Sequence, residues 1–128
     1  MNKRIIITAA FFGALAVILG AFGAHALKKI VSAQSLDVWH TAVQYHFYHT
    51  FALLFLSTFA RYKNALINFA SYCFTGGILL FSGSLYILSL KDYMGWAGAS
   101  FLGPVTPVGG LLFIMGWLSL LLAALRDK

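Results

Sequence analysis

The chain contains no glutamate and only three aspartates, Asp37, Asp92 and Asp127, and charged residues of both signs make up 9% of its 128 positions. Water-soluble domains carry roughly 25% charged residues because they must dress a surface. With 61% hydrophobic residues and a mean hydropathy of +0.86, the composition excludes a soluble globule and indicates an integral membrane protein. The length allows one domain at most. A single cysteine, Cys73, lies inside an apolar run. An intramolecular disulfide and CxxC metal sites are therefore excluded, and Cys73 reads as a small buried hydrophobe. Alternating polar and apolar stretches of strand length are absent, which excludes a β-barrel. There is no internal repeat and no low-complexity segment. The halves 1–60 and 61–128 do not resemble each other, so an inverted-repeat transporter has no support.

What is present is a set of long apolar runs flanked by cations. Nine Lys and Arg give a formal charge of +6. They stand in ones and twos at the ends of the runs, as membrane anchors do, so the expected partner is the lipid bilayer and not nucleic acid. Each run has at least the ~20 residues a helix needs to cross ~30 Å of hydrocarbon. The expected fold is an all-α integral membrane protein. It is a four-transmembrane-helix bundle forming a single domain over 1–128, with spans at about 5–26, 41–60, 65–90 and 105–125. Ala24-His25-Ala26 has the look of a signal-peptidase site, but the first run exceeds the ~7–15 residues of a signal core and is read as a retained span. The 27–40 connection interleaves Leu27, Ile30, Val31, Leu36 and Trp39 with Lys28, Lys29, Gln34 and Asp37. It is read as a short interfacial segment, with Ser35 capping the second helix and Trp39 at headgroup depth.

With four spans, Lys3, Arg4, Arg61, Lys63, Arg126 and Lys128 share one side, against Lys28, Lys29 and Lys91 on the other. That asymmetry favours termini on the inner, cytoplasmic side.

The first run carries Ala9, Gly13, Ala16, Gly20 and Ala24 on one face, and the fourth carries Gly109, Phe113, Gly116 and Leu120, with Gly110 and Trp117 beside them. Small residues on one face let another backbone come close. Gly13, Gly20, Gly23, Gly83, Gly109, Gly110 and Gly116 are the expected packing positions.

In the second run Ala42, His46, His49 and Leu53 share a face, and Phe47, Phe51 and Phe55 run down the opposite one toward lipid. The third run shows a stripe of Ser71, Thr75, Ser82, Tyr86, Ser89 and Tyr93. A polar cluster in the outer half of the bundle follows: His25, Trp39, Tyr45, His46, His49, Ser82, Ser84, Tyr86 and Thr106, with His40 and Gln44 at the same depth. His49 is expected to be buried, neutral and bonded to the third helix, with Ser82 the nearest partner, because an unpaired imidazole near mid-membrane is costly. Such a cluster is either a network that locks helices together or a ligand site.

Four stretches resemble the DUF423 family of small membrane proteins of unknown function, also known as UPF0382, to which transmembrane protein 256 of mitochondria is similar. The first is Gly20-Ala21-Phe22-Gly23-Ala24-His25-Ala26-Leu27, and the second is Trp39, Thr41, Tyr45 and His49. The third is Phe81-Ser82-Gly83-Ser84-Leu85-Tyr86. The fourth is Thr106-Pro107-Val108-Gly109-Gly110 followed by Phe113, Gly116 and Trp117. His40 and His46 depart from the family's pattern, leaving His25 and His49 as the matched pair. The resemblance implies four spans in the bacterial plasma (inner) membrane and no particular activity.

The leading functional reading is a structural, assembly or accessory membrane factor, with a second copy or another membrane protein as partner. The alternatives are a binder of lipid, small molecule or metal through the outer His/Ser/Tyr cluster, and a small transporter or proton pathway. No catalytic residue is expected, since no acid at membrane depth orients a histidine base. No cofactor or metal is expected either. His25 and His49 differ in depth, which disfavours axial ligation of haem, and no carboxylate or thiol completes a zinc or copper set with His25, His46 and His49.

Overall fold

The computed structural model describes residues 2–59 and 65–127. Arg61, Lys63 and Lys128, three of the cations used to assign sidedness, and the 60–64 connection lie outside the described residues.

Helix α1 (Lys3–His25) starts where the Asn2 side chain accepts from Ile5 N at 3.3 Å. Asn2 N also donates to Ser57 O at 3.0 Å, tying the start of α1 to the end of α2. After α1 the chain makes one 3-10 turn, Leu27–Lys29, and enters α2 (Ala33–Ser57). The second helix thus begins well before Thr41, and its cap is Ser32, whose hydroxyl accepts from Ser35 N at 3.1 Å, not Ser35. A helix begins where its first amides find an acceptor. Gln34, Ser35 and Asp37 are polar but do not break it, so the apolar boundary and the helix boundary differ.

The third apolar run forms α3 (Ala65–Gly77), a π turn (Ile78–Ser82) and α4 (Gly83–Met94), continuous over 30 residues. A π turn inserts an extra residue into the helical register and rotates everything after it. Serine positions on both sides of the expected stripe are therefore buried: Ser82, Ser84 and Ser89 are all enclosed, while Tyr93 is exposed. Gly95, at φ 69°, ends α4 in the left-handed conformation that glycine adopts without strain. A 3-10 segment, Ala97–Leu102, leads to α5 (Val105–Arg126), with Pro104 at its cap and Pro107 in its first turn, where a missing amide donor costs little.

Helix α1 packs on α2, α2 on α4 and the π turn, and α3 on α5. The seams are knob-and-hole contacts. The Phe113 ring fills the space a Cβ at Gly77 would take, Phe74 lies 2.6 Å from a Cβ built at Gly116, and the Phe81 backbone occupies that of Gly109. On α1 the tight position is Gly23, where a Cβ would meet the Trp39 indole at 2.6 Å. Gly13, Gly20 and Gly110 have ordinary clearance. A Cβ at Gly83 would meet nothing within 4 Å, so the close packing expected there is absent, and Gly77 holds that role instead.

The outward faces are apolar all round: Phe11, Ile18, Phe51, Leu79, Leu118 and Leu125 are each more than half exposed. Phe47, expected on this surface, is half-buried. Among the described residues three helical stretches, Lys3–Lys29, Ala65–Met94 and Ala97–Arg126, are long and apolar enough to cross a membrane. The fourth long helix, α2, carries Asp37 and all the histidines but one, and its sides are covered by α1 and α4.

Candidate functional site

The inner surface of α2 carries the buried polar groups. His49 is 4% exposed and sits flat on Phe113, with ring centroids 3.5 Å apart and planes 7° from parallel. Its Nδ1 lies 2.7 Å from Tyr45 O, and its Nε2 lies 3.1 Å from Trp117 Nε1. A carbonyl only accepts and an indole N–H only donates. The geometry therefore fixes the neutral tautomer with the proton on Nδ1, and both ring nitrogens are occupied. The partner expected for His49, Ser82 on the third helical run, is not its partner. Ser82 Oγ donates to Ala42 O at 2.8 Å, because the π turn aims it at the α2 backbone about two turns away from His49.

One turn earlier, His46 is 1% exposed, and its Nδ1 pairs with the Tyr86 hydroxyl at 2.9 Å. The Phe12 ring of α1 stands edge-on to it at 5.7 Å. His46 Nε2 has no hydrogen-bond partner, the one buried side-chain polar atom so placed among the described residues. Trp39 is 2% exposed. Its indole tilts against Tyr86 at 4.7 Å, and its Nε1 donates to Leu19 O at 2.9 Å. Gly23 makes room for it, so this indole joins α1 to α2.

The expected nine-residue cluster therefore separates. Trp39, His46 and Tyr86 form one contact between α1, α2 and α4. Tyr45 and His49 meet Phe113 and Trp117 in another, between α2 and α5. Ser84 pairs with Thr106 in a third, between α4 and α5, while also donating to Phe81 O at 2.9 Å. His25 is exposed at the end of α1, and His40 and Gln44 are exposed on α2, so none of the three joins the others. The helical phase of His25 and His40 turns them outward.

Sequence reasoning missed Trp117 and Phe113 as histidine partners and Leu19 O as an indole acceptor. The four-residue spacing of Phe113 and Trp117 puts both on one face of α5, which is the one available signal. Their pairing with His49 depends on how α5 sits against α2.

Beside His49, a groove of ≈ 750 Å³ opens between α2 and α5, lined among others by Tyr45, Tyr48, Phe81, Gly110 and Trp117. No group of three His, Cys, Asp or Glu side chains suited to a metal occurs among the described residues. Among the described residues the buried hydroxyls of Ser57, Ser71, Ser82, Ser84, Ser89 and Ser119 each donate to a backbone carbonyl, and none is bonded to a histidine.

A bundle of long apolar helices joined by side-chain bonds, with an apolar exterior, defines a helical membrane protein. The chain belongs to the DUF423 family, described as a protein of unknown function, whose model matches residues 19–110. It is 42% identical over 126 residues to the UPF0382 membrane protein YwdK of Bacillus subtilis (strain 168), covering 97% of this chain and 98% of that one. It is 39% identical over 128 residues to the UPF0382 inner membrane protein YgdD of Escherichia coli (strain K12), covering 99% and 93%. A UPF0382 membrane protein of Haemophilus influenzae is 35% identical over 130 residues, covering 100% and 98%. No solved structure matches the chain.

Proposed function

We propose that the chain is a non-enzymatic structural, assembly or accessory factor of the bacterial plasma membrane. It crosses four times, through α1, α2, the continuous 65–94 helix and α5, with both termini cytoplasmic. The observation that carries this reading is the state of the buried polar side chains. Among the described residues every buried hydroxyl and both nitrogens of His49 are occupied by bonds within or between helices, and the one unpartnered buried atom, His46 Nε2, belongs to a ring whose Nδ1 is held by Tyr86 and whose edge meets Phe12. Such bonds specify how helices pack. Four spans are favoured because α2 runs 25 residues, ~37 Å at ~1.5 Å each, between two helices able to span. The cation asymmetry favours the orientation, and the relative named as an inner membrane protein favours the compartment. A proton pathway finds little support, since none of the three aspartates is buried.

An accessory factor works through a partner, either a second copy or another membrane protein. A photo-crosslinking residue placed at Phe11 or at Ile114, both outward-facing, is expected to give an adduct of discrete mass in cell membranes. Lipid adducts alone from both positions would overturn the accessory role.

The groove between α2 and α5 favours a second reading, a binder of a lipid or small apolar molecule. Gly110→Leu, which puts a side chain into the groove, is then expected to abolish retention of a ligand seen by native mass spectrometry of the detergent-purified protein. If the wild-type chain retains no apolar molecule, this second reading fails.

A further inference from the structure

A cleft of ≈ 300 Å³ lies where α1 begins, between its first turns and residues 68–75 of α3. It is lined by Asn2, Arg4, Thr8, Asn68, Ser71 and Thr75, together with Ile5, Leu53 and Tyr72. The Arg4 guanidinium lies over the Tyr72 ring at 5.6 Å, a cation–π contact that joins α1 to α3. None of the three aspartates lines the cleft, so a cation and a group of neutral polar side chains share it with no acid. The backbone that carries Arg4 is fixed, because Asn2 is bonded both to Ser57 O and to its own helix.

The hydroxyls have a defined polarity. Thr8 donates to Arg4 O at 3.0 Å, Ser71 to Asn68 O at 2.7 Å and Thr75 to Ser71 O at 2.8 Å. Their hydrogens are directed at their own helices, so toward the cleft they offer lone pairs, while Arg4 offers a fork of N–H donors matched to phosphate oxygens. Both walls belong to helices long and apolar enough to span a membrane, and the cleft lies within about the first three turns of each.

The geometry points to a headgroup site for an anionic glycerophospholipid. Its phosphodiester lies on Arg4, its headgroup hydroxyls donate to Thr8 and Ser71, and its chain runs past Ile5 and Tyr72. Basic pockets between membrane helices hold anionic headgroups in this way. The leaflet follows from the proposed orientation, but the binding does not depend on it, nor on the accessory role.

The test uses the full chain in detergent, titrated with phosphatidylglycerol or phosphatidylcholine and followed by native mass spectrometry. Phosphatidylglycerol is expected to bind at least about tenfold more tightly, the worth of one charge-assisted contact. Arg4→Gln is expected to erase that preference. Tyr72→Leu removes an exposed ring and is expected to fold normally, weakening binding about threefold or more by loss of the cation–π contact. It therefore tests the site even where Arg4→Gln does not fold. Lys3→Gln removes an equal charge from a residue that does not line the cleft and is expected to leave the preference intact. Equal affinity for the two lipids overturns the proposal. So does an equal loss in Lys3→Gln and Arg4→Gln, which marks general surface attraction. Displacement of the lipid by an equal concentration of inorganic phosphate assigns the cleft to a small anion and overturns the lipid source.

Discussion

Trp117 Nε1 donates to His49 Nε2 across the gap between α5 and α2, while the His49 ring lies flat on Phe113, one helical turn before Trp117. Two residues 68 apart in sequence thus meet, and together with Tyr45 O and the Phe113 ring they fix the tautomer and orientation of the His49 imidazole. The indole is itself 46% exposed on its outer side, so its bond to His49 closes the floor of the groove beside it.

His49→Leu is expected to destabilise the protein by ~1–3 kcal/mol more than His49→Gln, because leucine leaves the Trp117 N–H without an acceptor and glutamine still accepts. Chemical denaturation in detergent measures the difference. Combined with Trp117→Phe, the His49→Leu cost should fall, since residues in contact couple. Additive effects would mean the bond contributes nothing to stability.

Glycine substitutions separate the seams from the free surface. Gly109→Ala sets a methyl on the Phe81 backbone, which cannot yield as a side-chain tip can, and is expected to cost ~1–3 kcal/mol. Gly77→Ala and Gly116→Ala should behave similarly against Phe113 and Phe74. Gly83→Ala meets nothing within 4 Å and should gain up to ~1 kcal/mol from helix propensity. Melting temperatures of the four variants in one detergent give the ranking, and a destabilised Gly83→Ala contradicts it.

Trp39→Phe removes the donor to Leu19 O while keeping most of the ring against Tyr86. The expected cost is ~0.5–1.5 kcal/mol, with a larger loss for Trp39→Ala, which also empties the space beside Gly23. Hydrogen exchange at the α1 amides should accelerate in both. Unchanged exchange would show that this indole does not hold α1 to α2.

A reporter active only in the cytoplasm, fused after Lys128, is expected to be active, and the same reporter inserted after Lys29 inactive. The reverse pattern would invert the orientation derived from the cations.

The cysteine offers a packing test. Cys73 is 4% exposed against α5 near Gly116, so it should resist maleimide labelling in the native micelle and react after denaturation. Rapid native labelling would mean that α3 and α5 separate readily.

Much of the fold was legible because lipid imposes a simple rule. A chain with 9% charged residues must satisfy its backbone internally and turn its apolar side chains outward, and long apolar runs do this only as helices. The burial of His46 and His49 was legible too, from their shared phase with Ala42 and Leu53 on α2. The start of α2 was not, because hydropathy marks where a helix enters lipid and Ser32 marks where it is capped. The grouping of polar residues by depth also misled. His25 and His40 have the right position along their helices and the wrong rotation about them.

By itself the sequence determined the class: membrane helices, glycine-rich seams, a histidine-bearing second helix, and a family whose motifs run through all four long helices. Only the tertiary structure decided which groups meet. The π turn at Ile78–Ser82 rotates Ser82 onto the α2 backbone and Ser84 onto Thr106, and with Ser82 turned away the acceptor of His49 is met by Trp117 of α5. A register change of one residue leaves no mark in a run of apolar side chains. It arises where helices must interlock, here with Phe113 seated on Gly77 immediately before the turn, and so it is a property of the packed molecule and not of the local sequence.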